Sequence, residues 1–214
     1  MKITWIGHAC FLLEGSKATV LTDPFDKSVP YPHFPGGPVD VVTISHGHFD
    51  HSAVDRVAGT PTTVAKPGKT TAHGVDFLGI PSYHDDVQGA ARGDNLLFAF
   101  DLDGIRVAHL GDLGAGLSPE QIESLNGVEV LLAPVGGHYT IGPEQAKAVA
   151  ASLPSVRLLI PMHFRTDVIA DWPIAPVEDF VRTMDNVHQI GTSAVSLNRE
   201  TLPERLEVWI LNYA

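Results

Sequence analysis

Residues 44–52, ISHGHFDHS, place three histidines and one aspartate within six positions, directly after a run of β-branched residues. Crowded imidazoles repel one another when protonated, and a metal ion removes this repulsion because it binds their neutral form. His46 and His48 are two residues apart, so on an extended segment their side chains lie on one side and can reach one ion. Asp50 and His51 follow where the chain turns, which favours a second ion.

Four side chains cannot fill two coordination shells, so this string also predicts donors from distant parts of the sequence. Three polar residues follow apolar, strand-like runs that contain Gly or Pro: His84 in IPSYHDD, Asp112 in AHLGDLG and His163 in IPMHF. Side chains in such positions converge at the edge of a sheet. Together with the string they give seven ligands, enough for two ions that share one carboxylate. His109, three residues before Asp112, competes with His84 for a place at the first ion.

The elements that must position these residues can be read from the pattern of the chain. The first half consists of short β-like segments separated by Gly, Ser and Pro, which is typical of an antiparallel meander, and LDG at 102–104 predicts a hairpin turn. HSAVDRVAG predicts a short helix that ends at Gly59. In the second half, strands alternate with three helical patterns, SPEQIESLNG, GPEQAKAVAASLP and APVEDFVRTMDN. This order predicts sheets whose outer faces are covered by helices.

Composition sets limits on the class of protein. The 214 residues are 44% apolar and 18% charged, which suits one domain over residues 1–214. A net charge of −11 without a Lys/Arg cluster argues against binding to nucleic acid or anionic lipid. The lone Cys10 excludes an internal disulfide and indicates a reducing compartment. Without a signal-peptide pattern or a long apolar run, we expect a cytoplasmic protein with no membrane insertion; a homo-oligomer stays open.

The motifs resemble those of the metallo-β-lactamase superfamily, with TDP before SHGHFDH and GD and MHF after it. More narrowly, WIGHACFLLEG, LTDPF, HLGDLG, APVGGHYTIGPEQA and LIPMHF resemble the branch of the ascorbate-6-phosphate lactonase-like hydrolases and the N-acylphosphatidylethanolamine phospholipase D. The similarity runs from Ile3 to His163 in family order. It implies an α/β fold, a four-layer αβ/βα sandwich of two mixed β-sheets flanked by helices, with the metals at one edge between the sheets.

The resemblance also implies roles for individual residues. The implied ligands form two sets joined by one carboxylate: His46, His48 and His84 at the first metal, Asp50, His51 and His163 at the second, and Asp112 as the bridge. Asp23 in TDP would orient a ligand through a hydrogen bond. The resemblance favours His84 over His109. Leu113 stands where members of the branch usually carry Thr, so a hydroxyl near the metals is missing.

Two further histidines are candidates for the site. His8 in IGHA matches a recurrent feature of the branch and could face the metals or the substrate, the alternative being a histidine buried between the sheets. His138 lies in the glycine-flexed loop GGHYTIG, where contact with substrate or acid catalysis is plausible.

The implied activity is hydrolysis of an ester, lactone or phosphodiester of a small molecule. Two divalent ions would bind a bridging water and lower its pKa, and Asp50 and Asp112 would hold the resulting nucleophile and the ions. Zinc is expected, although Mn, Fe and Ni also accept His and Asp donors, and imidazole at His48 argues against a redox di-iron site. A metal-binding sensor or scaffold without turnover, and a nuclease of the same fold, are the alternatives.

Overall fold

The computed structural model describes every residue, 1–214. The strands of the first half are β1 (Lys2–Gly7), β2 (Cys10–Glu14), β3 (Thr19–Thr22), β4 (Val41–Thr43), β5 (Thr62–Val64), β6 (Gly68–Ala72), β7 (Val75–Tyr83), β8 (Asp94–Leu102) and β9 (Ile105–His109). The later strands are β10 (Val130–Pro134), β11 (Leu158–Met162), β12 (Val187–Gln189), β13 (Ala194–Ser196) and β14 (Glu207–Ile210). The helices are α1 (Pro119–Ser124), α2 (Pro143–Ala151) and α3 (Val177–Val181), with 3-10 turns at Val54–Arg56 and Asp167–Ile169.

The strands form two mixed sheets, as predicted. The first has the order β13-β1-β2-β3-β4-β5 and the second the order β12-β14-β11-β10-β9-β8-β7-β6. In each sheet a meander supplies antiparallel strands, β1 to β3 and β6 to β9, and β13 is a further antiparallel strand beside β1. Pairing is parallel from β3 through β4 to β5, and from β9 through β10, β11 and β14 to β12. None of the helices combines the length and the apolar character that crossing a bilayer requires.

The main core lies between the two sheets. Side chains such as Trp5 and Phe11 from the first sheet and Phe98 and Phe100 from the second belong to one buried apolar cluster. Every residue of β10 and β11 is buried, which is the pattern of parallel strands covered on both faces. Burial of this much apolar surface is the main favourable contribution to folding, so the core provides a stable base for the loops at its edge.

Local sequence signals explain several element boundaries. Asp103 and Gly104 have φ values of 52° and 77°, so the predicted hairpin turn is confirmed as one with two left-handed residues. Ser118 caps α1, and Gln121 completes the capping box. The predicted helix before Gly59 is wrong in extent, because the segment makes only the 3-10 turn Val54–Arg56. The Arg56 guanidinium bonds the carbonyls of residues 25 and 26, which draws this turn against the preceding loop.

The carboxyl ends of several strands meet at one edge. β3 and β4 run in parallel, β9 and β11 are both parallel to β10, and β7 runs in the same direction as β9 because both are antiparallel to β8. The loops that follow these strands carry the predicted ligands of both metals. Strand direction therefore brings residues that are up to about 150 positions apart in the sequence to one edge of the molecule.

Two glycines allow these loops to approach closely. A Cβ atom at Gly114 would lie 2.2 Å from the backbone nitrogen of Asp85 and 2.4 Å from the carbonyl carbon of His84. A Cβ atom at Gly136 would lie 2.2 Å from the carbonyl oxygen of His163. Contacts this short with backbone atoms cannot relax through a side-chain rotation, so a larger residue would displace the loops that carry His84 and His163.

We predict that Gly114→Ala lowers the free energy of unfolding by about 1–3 kcal/mol, because the added methyl group must push the backbone at residues 84 and 85 away. Gly116→Ala is the matched control, since no atom lies within 4 Å of its Cβ position and neither glycine has a positive φ. The control should leave stability unchanged or raise it by less than about 1 kcal/mol. Urea unfolding of both variants measures the difference, and equal values would contradict the packing argument.

Candidate metal centre

A cluster of imidazoles surrounds one carboxylate oxygen at this edge. Oδ2 of Asp112, a residue only 2% exposed, lies 3.1 Å from Nε2 of His84 and 3.3 Å from Nε2 of both His51 and His163. Nε2 of His46 is 3.9 Å from the same oxygen. Four nitrogens of one chemical type thus converge on one buried oxygen, which is the arrangement expected where a carboxylate and imidazoles share metal ions.

The donor atoms at the cleft form two groups, and a third group, Asp23 with His46 and His51, joins them from behind. In each group the atoms lie within 4.8 Å of one another: His46, His48 and His84 in the first, and His8, Asp50, His51 and His163 in the second. The structure thus brings all seven side chains predicted as ligands together, with Asp112 between the groups. It adds His8 to the second group, where Nε2 lies 3.1 Å from Oδ2 of Asp50.

Asp23 and Ser45 orient two of the imidazoles. The fully buried Asp23 carboxylate accepts hydrogen bonds from Nδ1 of His51 at 2.8 Å and from the Ser45 amide at 2.8 Å. The Ser45 hydroxyl donates to the same carboxylate and lies 2.9 Å from Nδ1 of His46, from which it accepts. Because each Nδ1 donates to a fixed acceptor, the Nε2 atoms of His46 and His51 face the centre.

Backbone groups position the remaining parts of the centre. Nδ1 of His84 donates to the carbonyl of Tyr139 at 3.1 Å, which leaves its Nε2 facing Asp112. The Asp112 amide donates to the Asn95 side chain at 2.9 Å. The His163 amide donates to the carbonyl of His8 at 3.2 Å, and the two rings lie 4.1 Å apart. Three residues at the edge, His8, Asp23 and His163, have φ values of 52°, 39° and 51°.

Burial and mutual charge shift the titration of these groups. Burial and the neighbouring His51 lower the pKa of His46 to about 3, and burial with His163 lowers the pKa of His8 to about 4. Burial raises the pKa of Asp112, but His163 and His51 outweigh it and hold that pKa well below its usual value. At neutral pH, therefore, His46 and His8 are neutral and Asp112 is ionised. Burial lowers the pKa of His51 and of His84, but Asp112 outweighs it and raises both pKa values, so a metal ion would replace a proton on these two rings.

Unpartnered buried atoms concentrate in this cluster. Of the seven buried side-chain nitrogen and oxygen atoms without a hydrogen bond, four belong to His8, His51, Asp112 and His163. Leaving such an atom unsatisfied costs about 1–3 kcal/mol. Nε2 of His51 and Oδ1 of Asp112 are atoms that a metal ion could satisfy, whereas Nδ1 of His8 and of His163 are the ring nitrogens opposite those near Asp50 and Asp112. A set of imidazole and carboxylate donors fits a divalent transition metal.

The other predicted candidates lie outside the donor groups. His109 is fully buried and uses both ring nitrogens: Nε2 donates to the Ala9 carbonyl at 2.8 Å, and Nδ1 accepts from the Gly111 amide at 3.2 Å. Neither nitrogen is free for a metal. His138 is exposed, packs edge-on against Tyr139 and does not line the cleft over the cluster. Leu113, where a threonine was expected, is buried in the main core.

A cleft of about 830 Å³ opens onto the cluster. Besides the histidines and aspartates, it is lined by three aromatic residues and one arginine: Phe49, Tyr139, Trp172 and Arg92. Phe49 and Tyr139 lie within the motifs ISHGHFDHS and GGHYTIG of the sequence. Arg92 and Trp172 come from loops with no motif, so only the folded arrangement identifies them.

Comparison with known proteins agrees with the geometry. The family model of the beta-lactamase superfamily domain matches residues 2–163. A UPF0173 metal-dependent hydrolase of Methanoculleus marisnigri is 34% identical over 92% of this chain and 94% of its own. A second, from Thermoplasma volcanium, is 32% identical over 81% of this chain and 88% of its own.

A solved structure extends the agreement to the fold. A Thermotoga maritima protein of the metallo-β-lactamase superfamily, provisionally described as a zinc-dependent hydrolase, is 39% identical and superposes with a TM-score of 0.83. The match covers 100% of this chain and 99% of that one, so the predicted metallo-β-lactamase fold is confirmed. The lactonase-like branch stays a prediction. The chain therefore belongs to the metallo-β-lactamase superfamily, in the UPF0173 family of metal-dependent hydrolases.

Proposed function

We propose that this protein is a dinuclear metal-dependent hydrolase that cleaves an ester, lactone or phosphodiester bond in a small molecule. The observation that carries the proposal is the convergence of four Nε2 atoms on the buried Oδ2 of Asp112, beneath an open cleft of about 830 Å³. A purely structural metal site would be closed, whereas a catalytic site is open to substrate.

The two donor groups support two ions. The ligands would be His46, His48 and His84 for one ion, Asp50, His51 and His163 for the other, and Asp112 for both. Bound divalent ions supply Lewis acidity, which lowers the pKa of water towards neutrality and stabilises negative charge that develops on the substrate. Imidazole and carboxylate donors suit zinc, and they also accept manganese, iron or nickel.

Asp50 is a carboxylate of the cleft that can orient a water molecule. It lines the cleft, and its Oδ2 is held by Nε2 of His8 at 3.1 Å. Burial raises the pKa of Asp50, but the His8 hydrogen bond and His51 lower it below its usual value, so the carboxylate stays ionised at neutral pH. In this form Asp50 can bind a divalent ion and accept a hydrogen bond from a water in the cleft, which would hold that water in position for attack.

The alternatives have less support from the site. A sensor or scaffold needs no cleft of this size over its metal. A nuclease needs several cations to hold phosphates along a strand, but Arg92 is the only Lys or Arg among the residues that line the cleft. The cleft is instead of the size that a small molecule occupies.

The first test is metal analysis paired with hydrolysis of chromogenic esters, lactones and phosphodiesters. We expect about two metals per chain, with turnover that a chelator removes and added metal restores. Asp112→Ala should release at least one ion and reduce turnover to the background rate, because both ions lose a shared ligand. Asp55→Ala, an exposed carboxylate on the 3-10 turn, should change neither. A fully metallated, fully active Asp112→Ala variant would sink the proposal.

We further predict that Asp23→Asn raises the dissociation constant of the metal by about 10–100-fold, because the amide no longer holds the proton of His51 on Nδ1. Competition with a chromogenic chelator measures the constant, and Asp55→Asn is the matched control. Thermal unfolding of the metal-free variant separates this effect from general destabilisation. An unchanged dissociation constant in a folded Asp23→Asn variant would mean that the hydrogen bond does not orient the ligand.

A further inference from the structure

The cleft over the metal cluster contains one permanently cationic side chain, that of Arg92. The whole chain has a net charge of −11, so this arginine is not part of a generally basic surface. The charged lining residues other than histidine are Arg92, the predicted ligands Asp50 and Asp112, and Asp171. When metal ions neutralise the charge of Asp50 and Asp112, the cationic Arg92 and the anionic Asp171 are the charged groups left to contact a substrate. Arg92 would attract an anionic part of the substrate, and Asp171 would repel one.

Arg92 has no partner that neutralises its charge. Its side chain is exposed, with no carboxylate within 4.0 Å, and its guanidinium lies 5.6 Å from the ring centroid of Tyr139. Arg56 and Arg157, in contrast, use their guanidinium groups to bond backbone carbonyls. The Tyr139 ring can orient the Arg92 guanidinium by a cation–π contact and leave its hydrogen-bond donors free.

The segment that carries Arg92 is held to the metal centre. The Asp85 carboxylate, next in sequence to His84, accepts backbone hydrogen bonds from residues 87, 89, 91 and 92 at 2.9, 2.7, 2.9 and 2.7 Å. Tyr139 is tied to the same place, because its carbonyl accepts from His84.

We propose that Arg92 selects substrates that carry an anionic group, a carboxylate or a phosphate, near the bond that is cleaved. The inference rests on the proposed hydrolase function, whose cleft it uses. A guanidinium binds either anion through two parallel hydrogen bonds, a geometry that an ammonium group cannot match. Phe49 and Trp172 offer apolar surface in the same cleft for the rest of the molecule, and Asp171, beside Trp172, disfavours an anion at that end.

The test measures what a second anionic group adds to binding. Metal-loaded protein is titrated calorimetrically with butyrate, succinate and 3-phosphonopropionate, so that one carboxylate can meet the metals and the second group can reach Arg92. We expect succinate or the phosphonate to bind about tenfold or more tightly than butyrate. The ligand with the larger gain in affinity over butyrate, succinate or the phosphonate, shows whether Arg92 prefers a carboxylate or a phosphate-like group. Arg92→Gln should abolish the gain and Arg92→Lys should restore only part of it.

Arg182→Gln is the matched control, since this exposed arginine pairs with Asp179 at the end of α3 and does not line the cleft. No gain in the natural protein, or a gain that persists in Arg92→Gln, overturns the inference. Hydrolysis of 4-nitrophenyl acetate and of its anionic counterpart, mono-4-nitrophenyl glutarate, separates the two proposals. An Arg92-dependent gain without any hydrolysis leaves anion selection standing and counts against the proposed reaction. Hydrolysis of both esters without tighter binding of the second anionic group supports the proposed reaction and overturns anion selection by Arg92.

Discussion

One buried carboxylate oxygen, Oδ2 of Asp112, lies within 3.9 Å of an imidazole nitrogen from each of four histidines. An ionised carboxylate favours positive charge beside it, whether on a protonated imidazole or on a metal ion that the imidazoles share with it, so the arrangement fits a cation at this point. The constraint reaches into the fold, because four separate loops must end within a few ångströms of one point. The parallel strands all end at the same edge of the molecule, and the glycines at positions 114 and 136 allow the loops that follow them to approach closely.

The same constraint explains the hydrogen bonds around the centre. An imidazole is a useful donor only when its other nitrogen holds the proton, and each of the three assigned rings meets this condition in its own way. His51 uses a carboxylate, His46 a serine hydroxyl and His84 a backbone carbonyl. Asp23 and Ser45 lie in the loops that follow β3 and β4 of the first sheet, whereas Tyr139 lies in the loop that follows β10 of the second sheet. Both sheets thus contribute to holding one set of lone pairs in place.

Sequence reasoning predicted the parts of this centre that depend on residues close together in the sequence. His46, His48, Asp50 and His51 are adjacent in sequence, and the distant donors follow apolar runs whose strand character is plain. It could not decide between His84 and His109 from the residues alone, because the answer depends on a bond from His109 to a carbonyl 100 residues away. Arg92 and Trp172 lie in loops that reach the cleft only after folding. The helix before Gly59 was overestimated for a similar reason, since contacts of Arg56 with another loop decide its shape.

Three residues at the candidate metal centre have backbone conformations that are unfavourable for residues with a side chain. His8, Asp23 and His163 all have left-handed φ values, a conformation that costs a residue with a side chain about 1–2 kcal/mol and suits glycine. A glycine at each position would relieve that strain, and it would also delete an imidazole or a carboxylate of the centre. The chain therefore gives up folding stability where its chemistry is located. Five other non-glycine residues with left-handed φ values, among them Asp103, lie outside this trio, so relaxing strained positions to gain heat resistance would spare these three groups only there.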